Sequence, residues 1–139
     1  MWRVEGRERH SGMKALTLTQ PWATLVAIGA KQIETRSWRT FYRGPLAIHA
    51  AKSLPAWQFR DVLEAHGING FMELSLGAVV ATCTLTRIIR IYPYNIPDTP
   101  EFDFGDYRVG RWMWYLSDVK ALDTPIPARG SLGLWEWTS

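Results

Sequence analysis

Four side chains that could do chemistry lie close together in the first third of this sequence. Lys31, Glu34, Arg36 and Trp38 fall within eight residues of one another. If this stretch is extended, Glu34, Arg36 and Trp38 point to one face, because alternate residues of a strand do so. Cations neutralise phosphates and tryptophan stacks on a nucleobase, as in single-stranded nucleic-acid sites. A desolvated lysine beside a carboxylate is equally suited to hydrolysis. The lysine would then act as general base, and the carboxylate would position a water.

The purely structural alternative is an internal Glu34–Arg36 ion pair with Lys31 in solvent.

Further candidate binding residues surround this group. Arg39, Arg43 and Lys52 add to the positive charge of Lys31 and Arg36, and together they form a local basic field. The sequence therefore predicts a basic cleft flanked by aromatic residues. The remaining candidates, which could stack or hydrogen-bond in a cleft but could also cap a helix or pack in the core, are Gln20, Trp22, Tyr42, His49 and Ser53.

Short strands and helices would position these residues. Residues 14–19 alternate apolar and polar side chains, as a half-buried strand does. Pro21 suits the start of a helix, and Gly29 suits its end. A strand is predicted at Leu46–Ala50 and a second helix at Pro55–Ala65. The apolar side of the first helix is predicted to comprise Trp22, Leu25, Val26 and Ile28.

The second half of the chain reads mainly as strands. The longest candidate is Gly77–Ile91, and the prolines and aspartates of Tyr92–Gly110 predict a long loop. Aromatic strands are predicted at Trp112–Leu116 and Leu132–Trp137. Five to six strands with two short flanking helices, and no regular β–α–β alternation, predict an α+β domain built on a small mixed β-barrel. Within the longest strand, one face is predicted to comprise Val79, Ala81, Cys83 and Leu85, with the thiol a buried small hydrophobe.

The composition limits these hypotheses. The 139 residues suffice for one core but not for two. Residues 1–12 are charged and lack an apolar segment of the secretory type, so we expect a disordered extension or a misassigned start there, and a single domain over 13–139. The single cysteine, the absence of a Cys/His set with metal-ligand spacing and the lack of a long apolar run indicate a cytoplasmic protein. We expect no metal, no cofactor and no membrane contact.

The order of these residues is similar to that of a known family, the ASCH domain, which is named after a human transcription coactivator. The N-terminal block is specific, whereas the later segments are supportive, and the likeness extends over 13–138. The segments that resemble the family are Gln20–Ala23, Gly29–Trp38, Tyr42–Ala50, Gly77–Ala81 and Pro125–Gly130, the last followed by Leu134-Trp135.

This resemblance implies a PUA-like barrel, similar to RNA-binding modules, with Lys31, Glu34 and Arg36 in a cleft beside the helix at Pro21. ASCH-like proteins are associated with RNA or DNA, and some are hydrolases. One small bacterial relative removes the acetyl group of N4-acetylcytidine with a lysine, a threonine three residues later and a distant glutamate. Lys31 matches that lysine, but Glu34 stands at the threonine position, and Thr35 is one place off and would face the other way.

Two functions therefore remain open. We expect binding of a nucleic acid, RNA before DNA, or of a nucleotide or nucleoside through the basic, aromatic-flanked cleft. The alternative is a small hydrolase, either a ribonuclease or an amidohydrolase acting on a modified nucleoside, with Lys31 and Glu34 as catalytic residues. A protein-interaction domain is the third possibility.

Overall fold

The structure is a computed structural model that describes residues 12–53, 59–68 and 74–138. The predicted extension at 1–12 therefore lies outside the described residues, except for Gly12. The elements in chain order are β1 (Met13–Leu18), α1 (Trp22–Ala27), β2 (Ile33–Arg36), β3 (Gly44–Ala50), α2 (Arg60–Ala65), β4 (Ala78–Arg90), a 3-10 helix (Glu101–Phe104), β5 (Trp112–Pro127) and β6 (Leu134–Trp137).

The six strands form one mixed sheet in the order β2-β5-β4-β3-β1-β6. The β1–β3 pair is parallel, and the other four neighbouring pairs are antiparallel. This architecture confirms the α+β class and the small mixed sheet with two short helices. A closed barrel would require β2 to pair with β6, and the described strands leave these two at the ends of the order. The barrel itself is therefore not confirmed.

The main core lies between α1 and the central strands. It contains Trp114, the largest fully buried side chain, together with leucines of β1, β3 and β4. Cys83 is buried in the same cluster, and this burial raises the pKa of its thiol to about 12. The prediction that the Cys83 thiol is buried is thus confirmed.

The helix boundaries differ from the predicted ones. Ile28 is half exposed rather than on the apolar side, because α1 ends at Ala27 and Gly29 then adopts a left-handed φ of +85°. The described part of α2 begins at Arg60, and the predicted start of this helix at Pro55 lies outside the described residues.

The predicted face of β4 is correct for Ala81, Cys83 and Leu85, which lie together in the main core, and wrong for Val79. Val79 does not share a face with Ala81, because the β4–β5 register shifts between these residues and a bulge reverses the alternation of side chains. Val79 instead packs with Ala47 and Trp137 in a second core cluster. The partner strand β5 continues to Pro127, well beyond the predicted end at Leu116.

The predicted loop between β4 and β5 contains the 3-10 helix, which packs against β2 and becomes part of the site.

Among the described residues, no helix has the length and hydropathy needed to cross a membrane.

Candidate functional site

Lys31 is a buried anchor rather than a solvent-exposed cation. After the turn at Gly29, the N–H groups of Ala30 and Lys31 both donate to the Leu25 carbonyl, which turns the chain back under α1. The lysine side chain is 1% exposed, and its Nζ donates to the carbonyl oxygens of Ile33 and Phe104, each at 2.6 Å. Burial lowers the pKa of Lys31 from its usual value, although nearby carboxylates act in the opposite direction.

Glu34 bridges the two cations of the predicted group. Its Oε1 lies 3.4 Å from Lys31 Nζ, and its Oε2 accepts from Arg36 Nε at 2.9 Å. The Glu34–Arg36 pair of the structural alternative is therefore present, but Lys31 is not in solvent. Arg36 also donates through Nη2 to the Thr17 carbonyl at 2.8 Å. Because β1 and β2 lie near opposite ends of the sheet order, this bond requires the sheet to curl strongly.

The segment that follows β4, which contains the 3-10 helix, is hydrogen-bonded to β2. Glu101 accepts from the backbone N–H groups of Gln32 and Ile33 at 2.9 and 3.2 Å, and the Thr35 hydroxyl accepts from the Asp106 N–H at 3.0 Å. These contacts hold the 3-10 helix against the strand that presents Glu34. The loop predicted between β4 and β5 therefore forms one side of the site.

Three pockets that share lining residues adjoin one another in this region, and we call them together the cleft. The first, of about 470 Å³, lies between the C-terminal ends of β1 and β3 and the 128–133 loop, and we call it the basic pocket. Its charged lining residues are Arg36, Lys52 and Arg129, with no carboxylate among them. His49 and Thr17 complete its floor.

The second, the central pocket of about 350 Å³, shares Thr17 and Arg36 with the basic pocket and is flanked by Trp22 and Trp38. The third, the acidic pocket of about 420 Å³, shares Trp22 and Glu34 with the central pocket. Its further charged lining residues are Asp103, Asp106 and Arg111. The charge along the cleft therefore changes from positive at one end to mainly negative at the other.

The floor of the basic pocket is a hydrogen-bonded chain. Trp135 Nε1 donates to Thr17 Oγ1 at 3.0 Å, and that oxygen lies 3.1 Å from His49 Nδ1. His49 Nε2 lies 2.8 Å from the Ala128 carbonyl. A carbonyl only accepts, so Nε2 carries the proton, and Nδ1 of the neutral ring accepts from Thr17. Burial is the main reason why the pKa of His49 is lowered.

We expect His49→Gln to remove part of the acid sensitivity of the fold. The unfolded chain takes up a proton at this histidine near pH 6.5, the usual value, and the folded state does so only at a lower pH. The free energy of unfolding should therefore fall as the pH drops from about 6.5 towards the folded pKa. Urea unfolding at about pH 7.5 and about pH 5 measures this, with His66→Gln as the control outside the network. An equal loss in wild type and His49→Gln would contradict the assignment.

The structure brings six of the predicted site residues to the cleft, and the others lie elsewhere. Gln20 is 1% exposed and caps α1, since its Oε1 accepts from the Thr24 N–H at 3.0 Å and its Nε2 donates to Thr24 Oγ1 and the Ser75 carbonyl. Lys31 is buried and lines none of the three pockets. The predicted residues that line the cleft are Trp22, Glu34, Arg36, Trp38, His49 and Lys52.

The basic field predicted from the sequence is dispersed in three dimensions. Arg43 is exposed and donates to the carbonyls of Thr40 and Tyr42, and the Tyr42 hydroxyl donates to the Pro45 carbonyl. Partial burial raises the pKa of Tyr42. The predicted residues that do not line the three pockets are Gln20, Lys31, Arg39, Tyr42, Arg43 and Ser53.

Sequence reasoning missed the cleft residues that come from distant segments. Arg129 and Gly130 lie in Pro125–Gly130, a segment interpreted from the sequence only through its resemblance to the family. Asp106 and Arg111 lie in or just after the predicted loop. One sequence signal could have identified Arg129. It follows two prolines and precedes the last predicted strand, so it lies in a loop, where a cation is exposed.

A curled mixed sheet with a cleft beside a proline-started helix defines a class of domain. The ASCH domain profile matches residues 16–121, and the chain belongs to this family, which is part of the PUA-like superfamily.

Particular relatives resemble the chain in sequence or in fold. Activating signal cointegrator 1 from Homo sapiens and its counterpart from Mus musculus are each 41% identical to it over 61 residues, covering 44% of this chain. The match spans 10% of those relatives' own length. The crystal structure of ASCH from Zymomonas mobilis has a TM-score of 0.57 at 12% identity, over 91% of this chain and 87% of that one. Its S128A mutant also has a TM-score of 0.57 at 12% identity, over 91% and 89% of the two chains. These structures show the fold alone.

Proposed function

We propose that this chain binds single-stranded nucleic acid, RNA in the first place, through the cleft formed by the basic, central and acidic pockets. Membership of the ASCH family supports this proposal. The observation that supports it most is the basic pocket itself, in which Arg36, Lys52 and Arg129 gather without a carboxylate among the lining residues. Such a pocket suits a phosphate, because Lys52 and Arg129 form no ion pair among the described residues, whereas Arg36 is already paired with Glu34.

The neighbouring central pocket suits a nucleobase. Trp22 and Trp38 are half-buried there and present ring surface to the pocket. Stacking on aromatic rings tolerates any base, because every base has a π-face. A nucleotide therefore fits with its phosphate in the basic pocket and its base in the central one. Glu34 lies at the far side, where its carboxylate oxygens can accept a base amino group in addition to their present partners.

The geometry favours binding over hydrolysis. The ammonium group of Lys31 has three protons, and three acceptors surround it: the carbonyls of Ile33 and Phe104 and the carboxylate of Glu34. A general base needs a free lone pair directed at the substrate, and Lys31 lines none of the three pockets. Turnover of N4-acetylcytidine or of a short RNA by the wild-type protein would reverse this preference.

We expect the double variant Lys52→Gln/Arg129→Gln to bind a short single-stranded RNA about tenfold more weakly at moderate salt. Each phosphate contact contributes about 0.7 to the slope of log affinity against log salt for single strands, so the slope should fall by about 1.4. Fluorescence anisotropy titrations at several salt concentrations measure both quantities, and DNA of the same sequence tests the preference for RNA.

The matched control removes the same charge away from the cleft. Arg60 and Lys120 are exposed cations that line none of the three pockets, so Arg60→Gln/Lys120→Gln should keep the wild-type slope. An equal loss in both double variants would mean that net charge, rather than the basic pocket, determines binding.

A further inference from the structure

Six side chains outside the cleft form a row in which aromatic rings and guanidinium groups alternate over the first five members, and the ring of the sixth member stacks on that of the fifth. Consecutive members are 5.1–5.9 Å apart, measured from guanidinium carbon to ring centroid or between ring centroids. We call this row the arginine–aromatic ladder, and its members in order are Phe41, Arg39, Trp112, Arg90, Tyr92 and Tyr94.

The two arginines of the ladder have no polar partner in the part of the chain that the structure describes. Among the described residues, the side chains of Arg39 and Arg90 form neither a hydrogen bond nor an ion pair. Other exposed arginines differ: Arg43 donates to two backbone carbonyls, and Arg108 is held by the carboxylate of Asp106. The ring contacts orient the ladder guanidiniums while leaving their N–H groups available, as guanidinium stacking allows.

The aromatic members at the ends of the ladder are strongly exposed. Phe41 is 88% exposed and Tyr94 is 83% exposed, and Tyr94 stacks on Tyr92 with an interplanar angle of 4°. Exposed ring faces of this size, arranged beside unpaired cations, indicate a surface that binds a ligand. The ligand must offer both anionic groups and planar rings.

The ladder begins at the wall of the cleft. Trp38 lines the central pocket, and Arg39 is the next residue in the chain. Trp38 also packs edge-on against Trp114, with ring centroids 4.8 Å apart. Trp114 and Trp112 lie on the same face of β5, because they are two residues apart on one strand. A chain that leaves the cleft past Trp38 therefore meets Arg39 first.

We propose that the ladder is a second contact surface for single-stranded nucleic acid, continuous with the cleft. Arg39 and Arg90 bind successive phosphates, and unstacked bases pack on the outer faces of Phe41 and Tyr94. This inference depends on the proposed function, since it extends the path of the strand bound in the cleft. An acidic peptide supplies anionic groups but no rings for Phe41 and Tyr94, so nucleic acid fits the ladder better.

The test compares two lengths of labelled oligouridylate, about 5 and about 20 nucleotides. We expect Arg39→Gln/Arg90→Gln to weaken binding of the longer oligonucleotide about tenfold, to reduce its salt slope by about 1.4 and to leave the shorter one bound as in wild type. The control, Arg87→Gln/Lys120→Gln, removes the same charge from exposed residues that line none of the three pockets. Arg87 also covers a ring, that of Tyr115, but on the opposite face of β4, and this variant should match wild type.

The outcomes separate the two proposals. If wild type binds neither oligonucleotide, the proposed function fails and the ladder proposal fails with it. If the short one binds and the ladder variant binds the long one as wild type does, only the ladder proposal is overturned. Equal losses in the ladder and control variants would also overturn it, as would a ladder variant that loses binding to a polyglutamate peptide but not to the long oligonucleotide.

Discussion

Replacing Lys31 by methionine should lower the free energy of unfolding by about 3–5 kcal/mol, the usual cost of breaking a buried ion pair from one side. The methionine fills a similar volume, so the loss arises from the polar groups left behind. These are the carbonyl oxygens of Ile33 and Phe104, and a Glu34 carboxylate that retains only Arg36. Urea unfolding followed by tryptophan fluorescence measures the change.

The matched control is Lys14→Met, which breaks the exposed ion pair between Lys14 and Glu136. An exposed pair contributes only about 0–1 kcal/mol, so this variant should remain close to wild type. If Lys31→Met loses no more stability than Lys14→Met, Lys31 does not anchor the fold, and its buried position would have to serve chemistry instead.

Gly130→Ala should distort the basic pocket and weaken RNA binding at least tenfold, with a stability loss of about 1–3 kcal/mol. A Cβ at this position would lie 2.7 Å from both His49 Cε1 and Thr17 Oγ1. Neither atom moves freely, because His49 and Thr17 belong to the hydrogen-bonded chain that ends at the Ala128 carbonyl. The 128–133 loop must therefore shift, and Arg129 shifts with it.

Anisotropy with a short RNA and urea unfolding test the two effects of Gly130→Ala separately. The control is Ala121→Val, which adds bulk at an exposed residue of β5 that lines none of the three pockets and removes no charge. Wild-type affinity in Gly130→Ala, accompanied by the expected loss of stability, would show that the basic pocket is not where RNA binds.

Local patterns predicted the elements that carry the site. The alternation at 14–19 and the proline and glycine around α1 placed β1 and α1 correctly, within one or two residues. The period of a strand correctly placed Glu34 and Arg36 on one face, where they form an ion pair. These features depend on near neighbours in the chain, which is why a single sequence contains them.

The partners of those residues could not be predicted, because they come from distant segments. The burial of Lys31 involves Phe104, whose carbonyl accepts from its Nζ, and Glu101, which binds the start of β2, and no local pattern links these residues. Arg129 lines the same pocket as Arg36 because of the parallel β1–β3 pair and the position of the 128–133 loop. Arg39 lies outside the predicted cleft because the chain changes direction near Trp38. The side of the sheet on which Val79 lies is determined by a bulge in β4. The strict alternation of side chains that the prediction assumed does not include such a bulge.

The pairing of β2 with β5 has a consequence for synthesis of the protein. β2 is made early, but its only neighbour in the described sheet is β5, which leaves the ribosome after β3 and β4. Non-local pairing of this kind forms late, because a long loop must close before any contact is gained. A nascent chain that ends before Trp112 therefore contains Arg36 and Trp38 but lacks the strand that fixes them. The molecule acquires its cleft only after most of its chain has been translated.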